Sequence, residues 1–233
     1  MAARSDQELL EAIALRREEA AFAELFARYQ QPAYSLAYFL TRSRDAAEDA
    51  VQEALVSVWR SNDYGQANPR GWIMSIVTNK CRQYFRSRRK EDRLMNQQKS
   101  KDQTVVRTAT PASSAERGEL LAAMRAVLED FSMEDRQLVA LCYGAGLTQA
   151  EAARQLNLPQ TTVSFRLRQV LDDLRANLTK TGFAAAAPLL TAEGLSEALS
   201  SGPAPSSDLY GKVLSQIAGA GNQAAAALSQ RAA

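Results

Sequence analysis

Residues 147–175 read LTQAEAARQLNLPQTTVSFRLRQVLDDLR, and this pattern predicts two helices joined by a tight turn. Thr148 and Glu151 have the spacing of a capping box, in which two side chains satisfy backbone donors at a helix start. Asn157 tolerates the left-handed conformation that a tight turn needs, and Pro159 fits the first turn of the next helix. The stretch therefore predicts a helix-turn-helix.

The second helix of this pair has an apolar face and a polar face. Its apolar stripe has the spacing of a helix that packs on a core and consists of Val163, Leu167, Val170, Leu171 and Leu174. The opposite face presents Thr161, Ser164, Phe165 and Arg168, with Thr162 and Arg166 on its flanks. A short polar and basic helix face suits the DNA major groove. Contact with a thymine methyl group would explain an outward Phe165; packing of this ring on the preceding helix or on the C-terminal tail is the alternative.

The chain has 233 residues, of which 46% are hydrophobic, enough for one large or two small domains with a packed core. Its net charge is only +2, but the charges are unevenly placed. Residues 80–90 hold six basic side chains and no acidic one, whereas residues 45–53 hold four acidic side chains. A chain that is nearly neutral overall but locally polarised favours two different kinds of partner.

Two cysteines and no histidine argue against a disulfide framework and against a zinc site. We expect Cys81 and Cys142 to be buried, reduced thiols, and we expect no metal and no cofactor. The N-terminus lacks the apolar run of a signal peptide, and no apolar segment approaches the ~20 residues of a membrane span. These features predict a cytoplasmic protein.

Apolar periodicity predicts an all-α fold of two small helical domains. The first covers residues 6–93, in which Pro32 is expected to open a new helix and Asn68 with Pro69 to begin another. Residues 94–117 are polar and predict a flexible linker, and residues 118–180 form the domain that ends in the helix-turn-helix. Residues 181–233 are rich in Ala, Ser and Gly, which predicts a partly disordered extension or short helices, over 189–199 and from 208, that dock on the chain itself or on a partner.

Several motifs, taken in order, resemble the bacterial RNA polymerase sigma factors of the extracytoplasmic-function (ECF) type. Residues 22–29, FAELFARY, are similar to the family's opening helix, and residues 45–53, DAAEDAVQE, to its D-A-E-D-x-V-Q-E signature. Residues 69–79, PRGWIMSIVTN, resemble its P-x-x-W-L-x-x-I-x-x-N motif and continue into its arginine-rich helix end. The helix-turn-helix matches its last one. The resemblance covers about residues 8–178.

This resemblance implies a role for each charged surface. The acidic helix would bind the clamp of the polymerase β′ subunit through Asp45, Glu48, Asp49, Gln52 and Glu53. The −10 element would be melted and held by Asn62, Tyr64, Asn79, Arg82, Arg86, Arg88, Arg89 and Lys90, and the helix-turn-helix would read the −35 element. The implied partners are core RNA polymerase (its β′ and β subunits), promoter DNA and, in some members, an anti-sigma protein.

Several residues depart from the family pattern, among them Gln83, Asn157 and the pair Ser164-Phe165. They lie near the expected DNA surfaces, so they bear on promoter preference rather than on the general role. A helix-turn-helix regulator that works without polymerase is the main alternative, and a site-specific recombinase is a second. The sequence offers no nucleophile with a paired base and no glycine-rich phosphate loop, so we expect a protein that is not an enzyme.

Overall fold

The structure is a computed structural model that describes residues 4–62, 68–95, 114–183, 190–200 and 202–218, with side chains from 88 to 95 and from 114 to 116 left out of the description. These ranges contain helices and no strand, which confirms the all-α prediction. The helices are α1 (Asp6–Arg16), α2 (Glu19–Thr41), α3 (Arg44–Arg60), α4 (Pro69–Met95), α5 (Ser114–Glu129), α6 (Met133–Val139), α7 (Gln149–Leu156), α8 (Gln160–Lys180), α9 (Ala192–Ser200) and α10 (residues 209–218). A π-helical turn, Ala140–Gly144, follows α6. None of the described helices is long and apolar enough to cross a membrane.

Helices α1 to α4 form the first unit, a bundle around a continuous apolar core. Local signals fix the helix ends: Ser5 and Glu8 form a capping box at α1, and Ser43 caps α3 through the backbone N–H of Ala46. Asn68 accepts a hydrogen bond from the N–H of Gly71 at 2.9 Å, which caps α4 as predicted. Helices α3 and α4 pack against each other in this bundle, and each has a polar face that points outward.

Pro32 does not open a new helix, because α2 runs unbroken from Glu19 to Thr41. A proline inside a helix removes one backbone hydrogen bond and disfavours a straight continuation. Here the turns on both sides are buried in one core, with Phe22 and Leu25 before the proline and Leu36 and Phe39 after it. We attribute the continuity to this burial, which outweighs the loss of one hydrogen bond.

The second unit comprises α5 to α8 and contains the predicted helix-turn-helix. Thr148 and Glu151 form the capping box of α7, and Asn157 ends that helix with φ 56°, in the left-handed region. The apolar stripe of α8 lies against the core at Val163, Leu167, Val170, Leu174 and Leu178, while Leu171 is half-buried. The apolar periodicity of the sequence therefore predicts correctly which face of α8 lies against the core.

The two units pack against each other, and α9 lies between them. Leu195, Ala198 and Leu199 of α9 are buried against α2, α5 and the π-helical turn. Arg125 of α5 donates to the carbonyl of Ser35 at 3.3 Å and to that of Leu199 at 3.0 Å. The predicted linker 94–117 is helical at both ends, since α4 reaches Met95 and α5 begins at Ser114; residues 96–113 lie outside the described ranges.

Candidate nucleic-acid and protein interfaces

The outward face of α8 is open to solvent, as its periodicity predicts. Phe165 is 63% exposed and, with Leu15, is one of the two large hydrophobic side chains that are exposed in the described ranges. Thr161 and Arg168 are exposed beside it, and Gln160 joins them along a shallow groove. The ring therefore does not pack on the preceding helix or on the described residues of the tail, and α8 offers an apolar group flanked by polar and cationic groups.

Ser164, which the sequence places on the outward face of α8, and the two flank residues are less open than Phe165 and Arg168. Ser164 and Thr162 are half-buried, and the hydroxyl of Ser164 bonds to Oε1 of Gln149 in α7 at 2.5 Å. Arg166 is also half-buried, with its Nε 3.9 Å from Oδ1 of Asp135 in α6. The bond to Gln149 links α7 and α8, and it could not be predicted from local sequence because the two residues are 15 positions apart.

Helix α4 carries the predicted basic surface on its second half. Asn79 and Arg86 are exposed, and Arg82 is half-buried between them in sequence. Residues at spacings of three and four share one face of a helix, so these three side chains form a continuous stripe. Lys80 lies to one side, 3.2 Å from Oε2 of Glu53 in α3. Arg88, Arg89 and Lys90 continue α4, but their side chains are outside the described part.

The loop before α4 is described only at its edges. Asn62 is exposed, and its Oδ1 accepts a hydrogen bond from Arg17 at 2.9 Å. Arg17 also donates to the carbonyl of Trp59, so it holds the end of α3 and the start of the loop together. Tyr64 lies outside the described residues. Asn68 closes the loop and donates to the carbonyl of Gly146 in the second unit at 3.4 Å.

The acidic face of α3 is partly open and partly covered. Val51 and Leu55 are fully buried on its inner side. On its outer side Asp45, Asp49 and Glu53 are exposed, whereas Glu48 and Gln52 are half-buried.

The cover over Glu48 and Gln52 comes from the C-terminal extension. Glu48 bonds to Lys212 Nζ at 2.9 Å and accepts from the backbone N–H of Ser206 at 3.0 Å. Gln52 donates to the carbonyl of Lys212 at 3.3 Å.

These tail contacts change the proton affinity of the groups involved. Burial alone raises the pKa of Glu48, but the hydrogen bonds from Lys212 and Ser206 outweigh it and hold that pKa below its ordinary value. The Glu48 carboxylate in turn raises the pKa of Lys212. Both groups are therefore charged at neutral pH, and the pair is a charge-assisted contact. Lys212 was not among the predicted site residues. Its helix carries an apolar stripe of Leu209, Val213, Leu214 and Ile217, and Lys212 lies next to this stripe in sequence, which is the signal that could have indicated it.

The two thiols fit the predicted structural role. Cys81 is fully buried and burial raises its pKa to about 12, while Cys142 is half-buried with a pKa of about 11. A thiol of such high pKa is a poor nucleophile. Among the described residues no group of three or more His, Cys, Asp or Glu side chains is arranged to hold a metal ion.

Comparison with known proteins agrees with this arrangement. The model of Sigma-70 region 2 matches residues 25–91, and that of Sigma-70 region 4 matches residues 127–176. The ECF RNA polymerase sigma factor SigE of Mycolicibacterium smegmatis is 30% identical over 158 residues, which are 67% of this chain and 61% of the relative. RpoE of Cereibacter sphaeroides is 29% identical over 180 residues, covering 73% of this chain and 93% of the relative.

SigK of Mycobacterium tuberculosis is 26% identical over 169 residues, which cover 68% of this chain and 86% of that relative. A solved structure of CnrH in complex with the cytosolic domain of CnrY has a TM-score of 0.49 at 22% identity and covers 75% of this chain and 97% of that one. The paired matches to regions 2 and 4 fall on the two helical units described above. The chain belongs to the ECF RNA polymerase sigma factors, which are promoter-specific transcription initiation factors.

Proposed function

We propose that this chain binds core RNA polymerase through α3, reads the −35 element with α8 and opens the −10 element with α4 and the loop before it. The open face of α8 carries this proposal. A 63% exposed phenylalanine beside an exposed arginine and threonine buries little of its surface against the described part of the chain. It has a use in the major groove, where methyl groups and base edges are read.

The role of α8 follows from its side chains. Arg168 suits the paired acceptors of a guanine edge, and Phe165 suits a thymine methyl group. Thr161 sits near the N-terminal end of α8, the end at which a recognition helix meets the bases. Arg166 and Thr162, on the flanks, are assigned to phosphates, which position the helix without reading sequence.

The role of α4 follows from its stripe of Asn79, Arg82 and Arg86. Arginines along one helix face neutralise phosphates and make binding depend on salt concentration. Asn79 and Arg82 are assigned to base edges and Arg86 to the backbone. The arginine-rich continuation through Arg88, Arg89 and Lys90 extends the same electrostatic surface. Asn62 and Tyr64, in the adjacent loop, are assigned to an unstacked base of the opened strand, which aromatic stacking and edge hydrogen bonds hold.

The role of α3 follows from its charge. The face of Asp45, Glu48, Asp49, Gln52 and Glu53 is complementary to a basic surface, and we assign it to the clamp of the β′ subunit. Complementary charges of this kind speed the encounter and fix its register more than they add affinity. The chain would contribute promoter choice and strand opening, and the polymerase would perform the catalytic step. Its place of action would be the cytoplasm, and regulation by a separate anti-sigma protein remains a prediction from the family.

The test is transcription by core polymerase and the full chain on fragmented genomic DNA, with sequencing of the transcript starts. We expect starts preceded by two shared sequence blocks at a fixed spacing, and no such starts with core enzyme alone. Specific DNA binding without any gain in specific starts would contradict the proposal and favour a regulator that acts without polymerase.

A further inference from the structure

Helix α10 is held on the first unit by apolar contacts. Leu209 and Val213 are fully buried and belong to the apolar core of the molecule. The ring of Tyr210 lies 4.7 Å from that of Phe26 in α2. Leu214 and Ile217 are half-buried against the same core. The burial of these apolar side chains stabilises the contact, so α10 is docked on the first unit.

The polar contacts of α10 fall on the face assigned to polymerase. Both carboxylate oxygens of Glu48 are engaged, one by the Ser206 N–H at 3.0 Å and the other by Lys212 Nζ at 2.9 Å. Gln52, one helical turn further along α3, donates to the carbonyl of Lys212 at 3.3 Å. Two of the five residues assigned to polymerase binding are therefore bonded to the tail of their own chain.

The segment that leads to α10 is also anchored. The N–H of Gly202 donates to the hydroxyl of Ser35 at 3.2 Å, and Gln31 donates to the carbonyls of Gly202 and Pro203 at 3.3 and 3.2 Å. Arg125, which burial leaves with a lowered pKa, bonds to the end of α9 and to α2. The tail therefore follows a defined path from the junction of the two units to α3.

We propose that residues 202–218 are an intrachain competitor of core RNA polymerase for the α3 face. This proposal rests on the assignment of α3 as the polymerase-binding surface. Glu48 and Gln52 cannot bond to α10 and to the polymerase at once, so polymerase binding requires α10 to leave. The apparent affinity for polymerase is then reduced in proportion to the fraction of molecules in which α10 is undocked.

Part of the α3 face stays accessible to polymerase while α10 is docked. Asp45, Asp49 and Glu53 remain exposed beside the covered residues. Exposed charges at the edge of an interface increase the rate of encounter. The polymerase would therefore meet this exposed edge first and displace α10 afterwards, which makes the tail a brake on binding rather than a block.

The experiment compares two full-length variants of α10. Val213→Asp places a carboxylate where a fully buried valine packs, which disfavours docking. Gln216→Asp makes the same charge on the exposed side of the same helix. We expect Val213→Asp to bind core polymerase about ten-fold or more tightly than the natural chain, and Gln216→Asp to bind with unchanged affinity. Binding of −35 duplex DNA, which uses α8, should be equal in all three and reports that the second unit is folded.

Each result decides between the proposals. Equal polymerase affinity of the natural chain and Val213→Asp would overturn the competition, while the proposed function would stand. Failure of every form to bind polymerase would instead overturn the assignment of α3. If thermal unfolding shows that Val213→Asp has lost its fold, a chain ending at residue 201 provides the same comparison, and unchanged affinity in that chain would also overturn the competition.

Discussion

The acidic face of α3 and the outward face of α8 differ in how far the chain itself covers them. Glu48 and Gln52 on α3 are bonded to the C-terminal extension. On α8, by contrast, Phe165 is 63% exposed and Arg168 is open to solvent. The chain therefore covers part of the α3 face with its own extension and leaves the outward face of α8 open.

This difference indicates where control would act. If the extension masked α8, it would limit promoter recognition directly. Because it lies on α3, it would limit assembly with polymerase and leave the affinity of α8 for DNA unchanged. The contacts of α9 with α2, α5 and the π-helical turn lie at the junction of the two units, away from the outward face of α8.

The largest effect is expected from reversing a charge on the open part of the α3 face. Asp49→Lys should weaken binding to core polymerase about 100-fold, because like charges facing each other across an interface cost several kcal/mol. Titration of labelled core enzyme measures this. Glu11→Lys, an equal change at an exposed site on α1, should have little effect. An equal loss in both variants would mean that net charge, not the α3 face, governs binding.

The α8 face is tested by Arg168→Ala. Loss of a base contact by this side chain should cost about 1–3 kcal/mol of binding to a −35 duplex and relax the preference at one base pair. The folding stability should change by less than about 0.5 kcal/mol, since the side chain is exposed. Arg175→Ala lies on the same helix but pairs with Asp172, and it is the control. A matching loss of sequence preference in the control would show that the effect is not specific to Arg168 and would contradict its assignment to a base edge.

The junction of the two units is tested by a pair of glycines. An added Cβ at Gly144 would lie 2.6 Å from Cδ1 of the buried Leu36, whereas one at Gly118 meets nothing within 4 Å. Gly144→Ala should therefore lower the free energy of unfolding by about 1–3 kcal/mol, and Gly118→Ala in α5 should raise it by about 0.5–1 kcal/mol. Thermal unfolding followed by circular dichroism measures both. A higher free energy of unfolding in Gly144→Ala would show that Gly144 and Leu36 are not in close contact at the junction of the two units.

The smallest effect is expected at the ion pair between Lys212 and Glu48. Lys212→Ala should raise the affinity for polymerase by only a few-fold, because an ion pair whose lysine is exposed contributes little. The docked state holds the pKa of Glu48 below its ordinary value of 4.5. The contribution of the pair is therefore fully present above pH 4.5 and is lost as the pH falls through the lower, docked pKa. Fluorescence of a dye on α10, followed from pH 7 to pH 3, should report undocking that begins below pH 4.5 and comes at higher pH in Lys212→Ala.

The sequence predicts those parts of the structure that local signals determine. The capping box of Thr148 and Glu151, the left-handed Asn157 and the apolar stripe of α8 all act within a few residues, and each is found as predicted. The outward position of Phe165 follows from the same periodicity. These features need no knowledge of the rest of the chain.

Features that depend on distant contacts were not predictable in the same way. The break expected at Pro32 does not occur, since the surrounding core keeps α2 continuous. The stripe of α10 predicts a helix that docks, but nothing in its sequence specifies α2 and α3 as the surface. The contact between Lys212 and Glu48 joins residues 164 positions apart, and only the assembled fold brings them together.

Hydrogen–deuterium exchange of the full chain, alone and saturated with core polymerase, tests most directly whether the extension and the polymerase use one surface. We predict slower exchange in α3 over residues 45–53 and faster exchange in residues 209–218 when the polymerase binds. A saturated complex in which residues 209–218 remain as protected as in the free chain would contradict this account.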